Sequence, residues 1–355
     1  MKQKKDRMSG QERLDSLFHY RKPDRVPIAM SALGFSGKNM GLSIRDTYAD
    51  PERCFVALLW TEDQYGWDSM PMHFRHVVLG AHDFGGNVQL PEGEYEGMNI
   101  VSHPVGSEDD VENLKLPDPK RAGGIEVATK FARLQESHGI PITFLSRSPF
   151  TMAGNICGLE QFCRWTIRKP ELCNRLLDLA IAHILNVLRD WSNTFGAENL
   201  FIWLSAPSES NQVISPKIFE KFALPYHLKF HEEAKALGIK RFAYHICGDQ
   251  NLNLPLIAQA ASWRHPSILS FGHEVNLETA MKLFPRDVIY GNIEPALIQT
   301  ETAQVVYDLA KGVIEKGKKA PGGFILSAGC QLPNGSPPGN VFAITKAVDD
   351  FGWYE

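Results

Sequence analysis

From about residue 125 onward the chain alternates between two patterns. Stretches with apolar residues at helical spacing, such as IEVATKFARLQESHG, give way to short unbroken apolar runs: IPITFLS, NLFIWLS, KRFAYHI, ILSFGH, DVIYGN and GGFILSA. The first pattern is that of helices with one face on a core; the second is that of strands covered on both faces. Helices are expected over 125–139, 158–195, 216–237, near 252–261, near 276–284 and over 302–317, each leading into one of the runs. Repeated βα units of this kind predict a parallel sheet with crossover helices.

The first third is less regular. Ser9 with Glu12 three positions on is a capping-box signature, so a short amphipathic helix is expected over 9–20. RKPDRVPIAM then reads as extended. Residues 31–50, rich in Gly and Ser without clear period, are expected as an ordered loop over one end of the fold, followed by a helix over about 51–65. From 70 to 120, Gly, Pro and acidic residues mix with short β-like pieces, HVVLG and NIVSHPVG, which suggests an inserted hairpin layer.

Composition narrows the class. With 355 residues and 43% hydrophobic content the chain can bury a large core, and a single α/β barrel of this length is ordinary. The net charge of −4 provides no basic stripe for nucleic acid. No apolar run reaches the ~18 residues of a membrane span, and MKQKKDRMSGQER has no apolar segment of a signal peptide, so a cytoplasmic location is expected. The six cysteines, Cys54, Cys157, Cys163, Cys173, Cys247 and Cys330, are scattered and do not suggest a disulfide framework. Cys157, Cys163 and Cys173 fall in or beside helical stretches, where packing explains them.

The ends of the apolar runs carry the chemistry. After them come Ser146-Arg147-Ser148, Ser205, His245 with Cys247, His273-Glu274, Asn292 with Glu294, and Ser327 to Cys330. In a parallel barrel these ends share the face where active sites are built. Residues two apart on a strand point the same way, so His245 and Cys247 can present an imidazole and a thiolate to one point. These are ligands that zinc prefers, and Cys330 at a later strand end would complete a three-ligand set with one open position, the catalytic arrangement. As a bare pattern it is equally met by buried cysteines acting as small hydrophobes.

Several segments carry a resemblance: ERLDSLFHYRKPDRVPIAM, SPFTMAGNICGLEQF followed by KPELCNRLLDLA, HICGDQ, GNIEPALIQTETAQVVYDLAKGVIEKG and SAGCQLPNGSPPGNVFAITKAV. Together they resemble the uroporphyrinogen decarboxylase superfamily over nearly the whole chain, and within it the cobalamin-dependent zinc methyltransferase branch. The resemblance implies a (β/α)8 TIM barrel with an N-terminal extension and an inserted β-hairpin-like segment. One domain, 1–355, is expected, with N-terminal additions and the first barrel elements over 1–120 and regular βα units over 121–355. It also implies that His245, Cys247 and Cys330 hold Zn2+, and that a corrinoid (cobalamin) arrives on a partner protein. Decarboxylases carry an Arg-rich segment after the opening motif; here the stretch reads MSALGFSGKNMG, without those arginines, which argues against tetrapyrrole decarboxylation.

The implied reaction moves a methyl group from a small methylated donor, a methoxylated aromatic by preference, to the corrinoid protein. The alternative is methyl transfer from methylcobalamin to a thiol or to tetrahydrofolate. The branch members that methylate thiols have a Glu-containing segment after the next strand, whereas here Gly272 stands where the first such Glu would fall. His273 and Glu274 are then the nearest candidates for a fourth ligand, and this departure favours O-demethylation. Glu209, Glu274 and Asn155 are candidate catalytic residues, and Asn292 and Glu294 candidate cofactor contacts; each is equally readable as a solvated or turn-forming side chain. Trp60, Trp67 and Trp203 are candidates to wall an aromatic substrate, or core. A homodimer is left open. A closed structural zinc site or a zinc hydrolase would need a fourth protein ligand or a second base, and H-E-x-x-H is absent.

Overall fold

The strands were expected to be buried on both faces, and the computed structural model, which describes residues 6–73, 79–260 and 264–354, arranges them so. Two short strands, β1 (Asn87–Gln89) and β2 (Asn99–Ser102), pair antiparallel. Six more lie parallel in chain order: β3 (Ile142–Arg147), β4 (Leu200–Ser205), β5 (Arg241–Ile246), β6 (Ile268–Phe271), β7 (Val288–Ile293) and β8 (Phe324–Ala328). Alternation along them sorts the side chains. Phe201, Trp203, Ala243, Ile268, Val288, Tyr290 and Ile325 gather inside with Ala29. Ile202, Leu204, Phe242, Tyr244, Leu269, Ile289, Phe324 and Leu326 face the surrounding helices.

Two extended segments complete a TIM barrel. The 25–30 segment docks on β8 through Ala29 N–H to the Leu326 carbonyl (3.0 Å) and Leu326 N–H to the Pro27 carbonyl (2.9 Å). The 68–73 segment joins it through Asp68 N–H to the Ile28 carbonyl (2.7 Å), with the Asp68 carboxylate accepting from Ile28 N–H (2.8 Å) and Ser69 Oγ from Met30 N–H (3.0 Å). Toward β3 a side chain makes the link. Gln135 Nε2 donates to the Pro71 carbonyl (2.8 Å), while Gln135 Oε1 accepts from Thr143 N–H (3.1 Å). Beside this sector the buried Arg13 side chain bridges Asp24 and Asp68, and the buried Arg25 side chain also pairs with Asp68.

Local expectations fare unequally. The Ser9–Glu12 capping box starts a helix over Gly10–Leu17. Asp50 caps Pro51–Tyr65, which stops at Gly66 in the left-handed region. The inserted hairpin is β1–β2, with Val88 opposite Ile100; most of HVVLG lies outside the described residues. Residues 31–50 are not a loop. They form two helices, Leu33–Asn39 and Ile44–Ala49, because Gly34 and Gly37 let the first pack directly on Asn334 and Thr47, and Ser43 caps the second by accepting from Asp46 N–H. Glycine read as a loop signal was close packing. A helix over Pro149–Cys157, begun by Ser148 and Pro149, was also not foreseen. Among the described residues no helix is long and apolar enough to cross a membrane.

Candidate metal centre

Strand register sets one level near the top of the barrel. Arg147 pairs with Ser205, Ser205 with His245, and His245 with Ser270, so four interior positions on β3 to β6 stand side by side. Cys247 follows two residues after His245 on the same inward face. Cys330 comes in on the turn after β8, where Gly329 N–H donates to the Ile293 carbonyl (2.7 Å) and Leu332 N–H to the Ser31 carbonyl (2.8 Å). The donor atoms of His245, Cys247 and Cys330 lie within 4.8 Å of one another. The two sulfurs are 3.8 Å apart.

His245 is oriented from two sides. Its Nδ1 lies 2.9 Å from Ser270 Oγ, which leaves Nε2 toward the thiols, and its ring lies nearly parallel to Trp203 (centroids 6.3 Å apart, 21° between planes). The two sulfurs are hydrogen-bonded, and that bond, with His245 and Gln331 N–H, pulls the Cys330 thiol below the ordinary thiol range against the effect of burial. The same bond, burial and the Cys330 charge push Cys247 up. Two cysteine sulfurs and an imidazole converging on one point form a soft donor set that suits zinc.

Arg147, not assigned as a site residue from the sequence, belongs here. Its Nη1 donates to Ser205 Oγ (2.8 Å). Burial lowers its guanidinium to about 10, against the opposing pull of Cys247, Cys330 and Tyr48, so it stays charged at neutral pH. Tyr48, pushed up by burial, hydrogen-bonds Gln331 beside Cys330. The only sequence signal for Arg147 was a long cation closing an otherwise apolar run.

Gly272 has a packing reason. A Cβ there would lie 2.9 Å from Gly248 N and 2.5 Å from Glu274 Oε2, so the turns after β5 and β6 meet backbone to backbone and the Glu274 carboxylate fills the space of a side chain at 272. Glu274 lies near enough to Cys247 to raise its thiol. Its Oε2 is 3.4 Å from His273 Nδ1, whose ring in turn is 4.0 Å from Glu294 Oε1 at the rim.

The remaining expected residues are placed elsewhere or otherwise engaged. Asn292 Nδ2 donates to the carbonyls of Gly272 (2.9 Å) and Val275 (2.8 Å), pinning the turn that carries Glu274. Asn155 Nδ2 donates to the Leu79 carbonyl (2.8 Å) on the helix after β3. Glu209 is 1% exposed and bonded to His227 Nε2 (2.6 Å) in a small cavity that it shares with Leu204, Tyr244, Ile246 and His245. Of the three tryptophans, Trp203 lies under His245, Trp67 packs on Tyr65 and Phe35, and Trp60 is exposed.

A barrel of this topology, with its chemistry at the C-terminal strand ends, matches the sequence signature of the uroporphyrinogen decarboxylase (URO-D) family over residues 9–351. The chain belongs to that family. Among URO-D relatives, it is 30% identical to a methylated-thiol–coenzyme M methyltransferase of Methanosarcina mazei over 213 residues, 59% of this chain and 53% of that protein. The chain thus aligns with about half the length of that relative. It is 23% identical to the methylcobamide:CoM methyltransferase MtbA of Methanosarcina acetivorans over 314 residues, 86% of each. A solved methyltransferase structure from Methanosarcina mazei superposes with a TM-score of 0.80 at 21% identity, covering 97% of this chain and 99% of that one. This likeness supports the barrel fold.

Proposed function

We propose that this URO-D family member is a zinc-dependent methyltransferase that moves a methyl group between a small molecule seated in the barrel mouth and a corrinoid carried by a partner protein. The observation that carries the reading is the convergence of His245, Cys247 and Cys330 within 4.8 Å at the C-terminal mouth. A decarboxylase has no use for a soft metal site, and the segment that holds substrate carboxylates in decarboxylases is here a helix packed by Gly34 and Gly37.

Within that reading, His245 Nε2 and the two cysteine sulfurs would hold the ion, and Ser270 fixes the imidazole tautomer by accepting from Nδ1–H. Zinc bound there supplies Lewis acidity toward the heteroatom that loses or gains the methyl group. Trp203 floors the site with an apolar face. Glu274 sits beside Cys247, where a carboxylate can complete the ligand set or take a proton from an entering group. A corrinoid and a substrate together exceed the room inside a barrel filled by side chains, so the corrinoid is brought to the open face by another protein.

The direction has two supports. Gly272 and the displaced carboxylate at Glu274 depart from the thiol-methylating pattern and favour removal of a methyl from a methoxylated compound. The names of the relatives favour transfer to a thiol. Mixing the zinc-loaded enzyme with cob(I)alamin and a panel of methoxyarenes and methyl thioethers, and in a second arm with methylcobalamin and thiols, tests both. Loss of the Co(I) absorption in the first arm assigns the donor role; demethylation of methylcobalamin in the second assigns the acceptor role. Inactivity in both arms, with carbon dioxide released from uroporphyrinogen instead, would overturn the proposal.

A further inference from the structure

A cavity that shares no residue with the metal centre lies between the helices Ile125–Ser137 and Pro170–Phe195 and strand β3. Thr143 and Leu145, in register with inward-facing Phe201 and Trp203, line it together with Phe144 and Ser146, which point the other way. A space that touches both faces of one strand lies along its edge. Here that is the edge which Gln135 ties to the 68–73 segment. The helical walls are apolar, with Ala128 and Phe131 from one helix and Ile184 and Val187 from the other. About 60 Å3 is open to the centre of a water-sized sphere, room for roughly four to six waters.

The polar groups there are few and incompletely bonded. His183 Nε2 lies 3.2 Å from Asp83 Oδ2, with the histidine 1% and the aspartate 7% exposed. Among the described residues, Asp83 Oδ1, His183 Nδ1 and the indole Nε1 of Trp191, buried about two turns further along the same helix, have no hydrogen-bond partner. Buried polar atoms left bare are costly. Water serves them poorly, because each buried water takes about three polar partners and most of this wall is apolar.

We propose that this cavity binds a small neutral molecule made of one apolar ring and one O–H or N–H donor, of which a phenol is the simplest. The ring lies between the two helices and the donor on the Asp83–His183 pair. The site is independent of the methyl-transfer reading. In the tautomer that donates Nε2–H to Asp83, the open atoms Asp83 Oδ1 and His183 Nδ1 are both acceptors, so they select a donor from the ligand. Phe144 and Trp191 already meet edge to face (centroids 5.5 Å apart, 84° between planes), an arrangement that a further ring extends. A carboxylate is refused, because it offers only acceptors to a pair of acceptors and carries its charge into an apolar space.

Calorimetry with phenol, toluene and benzoate tests this, on zinc-loaded protein and again after zinc is stripped, so that binding at the metal centre is recognised. One phenol per chain should bind with a Kd below about 1 mM, equally in both preparations. Toluene should bind about tenfold more weakly, and benzoate not measurably. Ala128→Phe and Val187→Phe each fill the space with a ring of the protein's own. Both should weaken phenol by about tenfold or more while the circular dichroism spectrum is kept. A crystal soaked in 4-bromophenol needs no variant, and anomalous scattering should place the bromine between the two helices. The proposal is overturned by a lack of saturable phenol binding, by binding that requires zinc, or by toluene bound as tightly as phenol. It is equally overturned if both filled variants fold and keep the affinity, or if the cavity of the soaked crystal holds ordered water only.

Discussion

His245 Nδ1 lies 2.9 Å from Ser270 Oγ, and the two residues are register partners on adjacent strands. The backbone ladder that builds the wall therefore also sets the imidazole. With Nδ1–H donating to the hydroxyl, the Nε2 lone pair is the one left for a ligand. Ser270→Ala keeps the strand and removes the bond. Zinc affinity, measured by competition with a chromophoric chelator, should fall about 10- to 100-fold with the melting temperature little changed. An unchanged affinity would show that Trp203 and packing alone set the ring.

Cys247→Ala deletes one of the two thiols. Bound zinc should drop to a small fraction of wild type, and methyl transfer should fall by on the order of a thousandfold, since the ion's contribution to the barrier is several kcal/mol. The barrel should still fold, because its core inside and outside the wall is apolar and independent of the ion. A collapse of thermal stability on chelation would instead assign the zinc a structural role.

Cys247 and Cys330 are also positioned for oxidation. Their sulfurs stand 3.8 Å apart, and closing to the ~2 Å of a disulfide takes little movement. Metal-free protein treated with diamide should form this one intramolecular disulfide, seen by peptide mapping, and should then fail to take up zinc until reduced. Zinc-loaded protein should resist the same treatment, because coordination occupies both sulfurs. Oxidation at equal rates with and without zinc would mean that the two cysteines do not share an ion.

The charged cluster under the 68–73 segment gives stability its acid limit. Burial alone would raise the Asp24 carboxyl, but hydrogen bonds from the Arg13 side chain and from Arg7 and Met8 N–H outweigh it and hold the group well below the ordinary carboxylate range. A group depressed in the folded state contributes stability that is complete above its unfolded pKa near 4 and is lost as pH falls toward the folded value. Unfolding free energy by urea titration should therefore fall between about pH 5 and pH 2, with Asp24 contributing on the order of 2 kcal/mol of the loss. Asp24→Asn should be destabilised at neutral pH and show a shallower acid slope. An identical slope would place the acid sensitivity elsewhere.

The barrel was legible in the sequence where strand and helix periods alternate cleanly, from residue 125 on, and the meeting of His245 with Cys247 was legible because they obey the two-residue period of a strand. What escaped was set by three-dimensional contact. Residues 31–50 hid two helices because glycines that allow close approach look in sequence like the glycines of an ordered loop. Glu209 was read from its place after a strand end, but its bond to His227, between residues 18 apart, depends on the 3-10 turn after β4 that buries it. Asn292 is the reverse case: its position at a strand end was legible, but its work on the Gly272 and Val275 carbonyls depends on where the neighbouring turn lies. Arg147 could be placed only once register set it against Ser205, on the same level as His245.

The seam closed by Gln135 has a consequence for how mutations sort in this protein. From β3 round to the 25–30 segment the wall is joined by main-chain bonds, which any side chain leaves intact. Among the described residues, the 68–73 segment adds to one main-chain bond, from Asp68 N–H to the Ile28 carbonyl, side-chain bonds through Asp68, Ser69 and Gln135, so there a single codon change can weaken the cylinder. Those three positions should tolerate substitution as poorly as His245, Cys247 and Cys330 do, although none of them need touch a substrate. A survey of loss-of-function variants would then report two unrelated hot sectors on one barrel, one chemical and one mechanical, and only zinc content in the surviving protein would tell them apart.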